Sequence, residues 1–204
     1  MSKVRTAVLI SGRGSNLKSL IAAARAPDYP AEIALVISNK EDAGGLALAR
    51  EAGIATKVIS HKNFGSREAF DAAIDTALTD AKIALVAEAG FMRIHSEWFA
   101  TKWAGKLLNI HPSLLPAFPG IHVHQQALDA GVKISGCTVH FLTPALDSGP
   151  IIAQAAVPVL PDDTADTLAA RILVEEHKLY PAALRLVAEG KVKLETGRAV
   201  SAPA

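Results

Sequence analysis

A single cysteine in 204 residues excludes any disulfide within the chain and any paired-cysteine metal motif. Cys137 reads as a small core residue in a protein of a reducing compartment. Charge of one sign is missing too. Twenty-one basic residues face 20 acidic ones, which leaves no overall field to hold a nucleic acid or an anionic membrane. Long apolar runs are absent: the first follows Lys3 and Arg5 and stops at Ser11, too short for a signal-peptide core or a spanning helix. No internal repeat or low-complexity segment interrupts the chain. Together these absences describe a soluble cytoplasmic protein whose partners are small molecules, with no nucleic acid and no membrane.

What is present is a core-forming composition, half of it apolar, arranged in short apolar runs that alternate with longer helix-like segments. The runs at 4–11, 32–38, 55–60, 83–87 and 106–110 are predicted strands of βαβ units. After Pro119 the rhythm changes. "KISGCTVHFL" and "PIIAQAAVPV" flank the turn-forming "TPALDSG", which predicts an antiparallel pair. A long amphipathic helix is expected from about Asp163, capped by Asp or Thr, with Pro181 kinking or ending it near Tyr180. The expected fold is α/β, Rossmann-like and doubly wound: a mainly parallel sheet, an antiparallel C-terminal pair and helices on both faces. Residues 1–190 form one domain in this reading. Residues 191–204 are a tail that ends in the loose "GRAVSAPA".

Within this frame "LLNIHPSLLPAFPG" stands out. Asn109 and His111 lie two apart and so share one face of a strand that Pro112 should stop at its carboxyl edge, where α/β proteins bind ligands. The glycine-rich "SGRGSN" joins the first strand to a helix. It lacks the third glycine of a dinucleotide fingerprint and the Gly-Lys-Ser/Thr of a triphosphate loop, so it is either a cradle for a single phosphate or a tight turn. Glu176 follows Leu168 and Ile172 on the apolar stripe of the long helix, where a carboxylate needs a partner: a nearby cation, or a ligand. Arg67 sits just after the probable cap Ser66, and Asp147 lies in an Asp-Ser-Gly-Pro turn where acids are common for local reasons. His122 and His124 could join His111 around zinc, but no metal motif supports them, and no metal is expected.

Taken together, "LISGRGSNL", "SREAFD", "AGFMRI", "LLNIHPSLLPAFPG", "VHFLTPALDSGPIIAQAAVPV" and "EEHKLYP" resemble the folate-dependent phosphoribosylglycinamide formyltransferases, in that family's order and over most of the chain. The resemblance implies transfer of a formyl group from 10-formyltetrahydrofolate, the cosubstrate, to the glycine amine of glycinamide ribonucleotide in purine synthesis. It implies that Gly14, Ser15 and Asn16 hold the substrate phosphate, and that the segment ending at Glu176 binds its sugar and glycinamide side. By the same resemblance the folate meets Arg67, Met92, Arg93, Ile94, His95, Asn109, Thr143 and Asp147. His111 is then the catalytic acid, working with Asn109 and Asp147. Glu88 and His95 depart from the family's apolar pattern, and Glu88 is expected to turn towards the pterin, whose N–H groups would satisfy its carboxylate.

Formyl transfer needs donors for the oxygen of a tetrahedral intermediate and a proton for the leaving folate nitrogen, which Asn109 and a protonated His111 can supply. The amine's own proton is expected to leave through water or Asp147, with His122 a structural bystander. Formyltetrahydrofolate hydrolase shares the Asn, His and Asp, and a start at the first strand is expected to separate this chain from it. A noncatalytic nucleotide-binding protein is the remaining alternative. Either a monomer or a homodimer is compatible with the sequence.

Overall fold

The computed structural model describes residues 2–201. The first strand, β1 (Val4–Ile10), is buried from Thr6 onwards, as expected of an apolar run covered on both faces. Then follow α1 (Ser15–Ala24), β2 (Ala31–Ser38), α2 (Gly44–Glu51), β3 (Ala55–Val58), α3 (Arg67–Asp80), β4 (Leu85–Glu88), α4 (Glu97–Lys102) and β5 (Leu107–His111). The second half adds α5 (Val123–Asp129), β6 (Ile134–Phe141), β7 (Ile151–Pro158), α6 (Ala165–Ala188), β8 (Val192–Glu195) and β9 (Arg198–Ser201).

Seven strands form one sheet in the order β3-β2-β1-β4-β5-β6-β7. Pairings among β1 to β5 are parallel, and β6 and β7 are antiparallel additions, so the fold is the mainly parallel α/β sheet that the alternating runs predict. Alternation within β1 divides the core. Val8 and Ile10 pack with α1, α2 and α6 on one face, while Ala7 and Leu9 pack with α3 and α4 on the other. The chain winds outwards from β1 to β3 and returns to lay β4 against the other side of β1. This reversal opens a crevice beyond the carboxyl ends of β1 and β4, the usual ligand position in such sheets.

Two expectations are corrected. Pro181 does not end α6, which runs from a Thr164 capping box with Thr167 through to Ala188. Proline inside a helix costs about 3 kcal/mol, but Tyr180, Ala183 and Leu184 around it are all buried in the core, and that packing holds the helix together. The supposedly loose tail is also ordered as far as Ser201. β8 and β9 pair as a hairpin whose two turn residues, Thr196 and Gly197, both have positive φ, as the turn of a tight hairpin requires. Val192 anchors the hairpin in the core, and residues 202–204 lie outside the described ones.

Candidate active site

The glycine loop leaves β1 at the crevice. Gly14 adopts φ 79°, and a Cβ there would stand 2.7 Å from the Cα of Gly45, so close approach of the α2 start is one reason for glycine. Gly14 also occupies the N-cap of α1, where no side chain caps the helix. First-turn amides are thus left without a capping oxygen, at the positive end of the helix dipole. Behind the loop, Asn16 Nδ2 donates to Glu176 Oε2 at 2.6 Å, while Asn16 Oδ1 is buried with no partner among the described residues. The carboxylate on the apolar stripe of α6 is therefore partnered by an amide and not by a cation. Burial pushes the Glu176 carboxyl pKa up, opposed by the Asn16 hydrogen bond and by the nearby charge of His111.

A cavity of about 580 Å³ opens beside this loop, beyond the ends of β4 and β5. Its walls include Met92, Arg93, Ile94, His95, Asn109, His111, Thr143 and Asp147, brought together from three separate parts of the sequence. Gly14, Ser15, Asn16 and Glu176 lie outside this lining, and Arg67 stands exposed at the start of α3, outside it as well.

Strand β5 aims its polar residues as the spacing predicts. Asn109 pairs with His140 of β6 across the sheet, and Asn109 Nδ2 lies 3.4 Å from His140 Nε2. His140 Nδ1 donates to the Phe141 carbonyl at 2.9 Å, so Nε2 is left as the acceptor for the amide. Burial lowers the His140 pKa, which keeps the ring in that neutral form. His140 is the site residue that sequence reasoning missed; its only signal was a histidine in an otherwise apolar strand, and its role depends on β6 pairing with β5.

At the strand end, His111 Nε2 donates to the Phe118 carbonyl at 3.0 Å, and Nδ1 lies 3.5 Å from Asp147 Oδ2. Acceptors thus face both ring nitrogens. Asp147 also accepts from the Gly120 N–H at 2.8 Å and sits at φ 47°, a left-handed conformation that aspartate tolerates better than most residues. The proline-rich loop between β5 and α5 is held in place by side chains. Thr138 Oγ1 donates to the Ser113 carbonyl at 2.7 Å and accepts from the Leu115 N–H at 3.0 Å, while Ser113 Oγ donates to the Ala117 carbonyl at 2.6 Å.

Glu88 lines the cavity, as expected of it, but it also has a partner within the protein. Its Oε1 lies 2.6 Å from His95 Nε2, so that oxygen is satisfied without a pterin. The two positions that depart from the family's pattern are each other's partners. Among the described residues, no group of three or more histidine, cysteine, aspartate or glutamate side chains is placed to hold a metal ion.

A profile of the formyl transferase family matches residues 4–184. The chain belongs to the formyl transferase family. It is 46% identical over 192 residues to the phosphoribosylglycinamide formyltransferase of Escherichia coli, covering 94% of this chain and 91% of that one. Against the trifunctional purine biosynthetic protein adenosine-3 of Bos taurus it is 55% identical over 197 residues, 96% of this chain but only 20% of the longer protein. The chain thus spans about a fifth of that trifunctional relative. In three dimensions it matches glycinamide ribonucleotide transformylase 1 from Symbiobacterium toebii with a TM-score of 0.95 and 47% identity, over 98% of this chain and 95% of that one. The transferase sheet, with its antiparallel C-terminal strands, is therefore shared along nearly the whole chain.

Proposed function

We propose that the protein transfers the formyl group of 10-formyltetrahydrofolate to the glycine amine of glycinamide ribonucleotide, giving formylglycinamide ribonucleotide and tetrahydrofolate in purine synthesis. The observation that carries this reading is the meeting of Asn109, His111 and Asp147 in one cavity, beside a helix N-terminus without a side-chain cap. The match to the Escherichia coli formyltransferase along most of both chains supports it. The composition and the single cysteine support a cytoplasmic setting.

In this reading the amides of Ser15 and Asn16 at the α1 N-terminus receive the substrate phosphate, with Gly14 letting the loop approach it. Glu176 receives donors of the sugar and glycinamide, and the unpartnered Asn16 Oδ1 accepts another. The folate lies in the cavity against Met92, Arg93, Ile94, His95 and Thr143. Arg67, outside the lining, is left for the part of the folate that emerges from the cavity.

The amine attacks the formyl carbon, a carbon–nitrogen bond forms, and negative charge gathers on the formyl oxygen. One Asn109 N–H is directed to His140 and the other is free to donate to that oxygen. In protonated His111 the Nε2–H stays on the Phe118 carbonyl, while the Nδ1–H, 3.5 Å from Asp147 and so not closed into a hydrogen bond with it, donates to the same oxygen and then passes its proton to the departing folate nitrogen as the old carbon–nitrogen bond breaks. Asp147 holds the imidazolium and takes up the proton shed by the attacking amine, through solvent. The test is mass-spectrometric analysis of the protein incubated with 10-formyltetrahydrofolate, with and without glycinamide ribonucleotide. Formylated ribonucleotide in step with folate consumption is expected. Release of formate alone, at equal rates in both samples, would identify a hydrolase instead.

A further inference from the structure

A buried ionic chain is built into the cavity wall, where Glu88 and His95 contribute to the lining, and the chemistry above makes no use of its charge. His95 is stacked between Phe91 and Phe99, with ring centroids 5.4 and 4.3 Å away and planes within 20° of parallel. Its Nε2 lies 2.6 Å from Glu88 Oε1 and its Nδ1 2.7 Å from Asp71 Oδ1. All three side chains are at most 4% exposed. Asp71 Oδ2 also accepts from the Ser96 N–H. A neutral imidazole carries one N–H and could donate to only one of the two carboxylates. Both short contacts are met together by the imidazolium, whose charge offsets that of two acids in an apolar place.

Position gives this chain its consequence. Glu88 ends β4 and His95 comes seven residues later, so their contact closes a loop that has no regular secondary structure. The loop carries Gly90 at φ 72° and presents Phe91, Met92, Arg93 and Ile94 to the cavity, while Asp71 ties its far end to α3. Near its middle, the Met92 N–H donates to Ser11 Oγ at 2.8 Å. We propose that Glu88, His95 and Asp71 form a positioning unit, in which doubly donating His95 clamps the 88–95 loop as a wall of the folate cavity and so sets affinity for the folate. His95 is here a positioning residue that acts through Glu88 and Phe91. The inference rests on the folate reading of the cavity.

Charge state should then control the wall. Burial on its own would lower the His95 pKa, but the charge of Glu88 and the hydrogen bond to Asp71 outweigh it and raise the pKa to about 9. Glu88 from β4 and Asp71 from α3 are the charged groups facing the ring. Asp75, one turn further along α3, is occupied by Trp103 Nε1 and Lys102. Asp147 across the cavity bears on Glu88, and Tyr180 of α6 donates to the Glu88 carbonyl.

The test pairs two measurements on the wild type and Glu88→Gln: titration of His95 by NMR without ligand, and tetrahydrofolate affinity by calorimetry from pH 6.5 to 10. In the wild type, affinity should fall by roughly tenfold across the His95 titration near pH 9, as the clamp loses its second donor. Glu88→Gln keeps an acceptor for His95 while removing the charge, so both the titration and the affinity loss should move to lower pH together. His95→Leu should raise the KM for the formyl donor about tenfold with kcat changed much less. An affinity that stays flat while His95 titrates, or an affinity loss unmoved by Glu88→Gln, would overturn the proposal, as would a His95 that titrates near 6.5. Failure of the wild type to bind tetrahydrofolate at all would instead remove the cavity assignment, and the inference with it; the ligand-free titration keeps the two failures apart.

Discussion

Asn16 joins two tasks in one amide. Its nitrogen holds Glu176 at 2.6 Å, and it sits in the first turn of α1 where the substrate phosphate is proposed to bind. Asn16→Asp would replace that donor with a second carboxylate and add negative charge beside the anion. Affinity for glycinamide ribonucleotide should fall by about tenfold or more, and tetrahydrofolate affinity should change little. Calorimetry with each ligand separates the two, and equal losses would show that the loop does not bind the phosphate. The placement of Asn109, His111 and Glu176 is legible because a strand's period of two and a helix's spacing of four put side chains on faces. What holds Glu88 is not legible in the sequence, for the complementary reason. Its partner His95 lies seven residues away across an irregular loop and Asp71 lies on another element, and no periodicity links the three.

At the scale of elements, α6 holds the strand ends together. Buried Tyr180 shares its one hydroxyl proton between the Glu88 carbonyl at 2.9 Å and the Leu108 carbonyl at 3.1 Å, one on β4 and the other on β5. Tyr180→Phe keeps the packing and removes the shared donor from both carbonyls, so thermal unfolding should show a loss of about 1–3 kcal/mol. Unchanged stability would mean that packing alone registers α6 against the sheet. The parallel strands were legible as elements because each is a short apolar run between helical segments, and the β6–β7 pair because a turn-forming segment separates two such runs. Their order was less so. That β6 lies beside β5, which puts His140 against Asn109, depends on tertiary pairing that neither strand encodes by itself. The continuation of α6 past Pro181 and the final hairpin escape the sequence for a related reason, since local preference lets the helix kink or end and the tail loosen where burial of Tyr180, Leu184 and Val192 keeps both ordered.

Across the whole molecule, the buried ionic chain ties stability to pH. The His95 pKa is raised from 6.5 to about 9, so its contribution to stability is complete below pH 6.5 and is lost as pH rises through about 9. Glu88 acts in the same direction, because its pKa is raised by burial and its ionisation therefore costs stability as pH rises. Asp71 is held below its usual range: burial opposes this, but hydrogen bonds from His95 and Ser96 prevail, so its contribution is lost only on acidification. Chemical denaturation at several pH values should show stability falling between pH 6.5 and 9, with a shallower fall in Glu88→Gln. An equally steep fall in that variant would assign the alkaline loss to other groups.

The fold brings a helix N-terminus and the side chains of Asn109, His111 and Asp147 to one region beyond the strand ends, where the proposed chemistry would occur. Asp147→Asn tests it most directly, because it preserves shape and an acceptor for the Gly120 N–H while removing the charge 3.5 Å from His111. Single-turnover formyl transfer, measured with both substrates saturating, should slow by about a hundredfold or more, with the affinity for each substrate nearly unchanged. A variant that transfers the formyl group at the wild-type rate would contradict the proposed chemistry at this site.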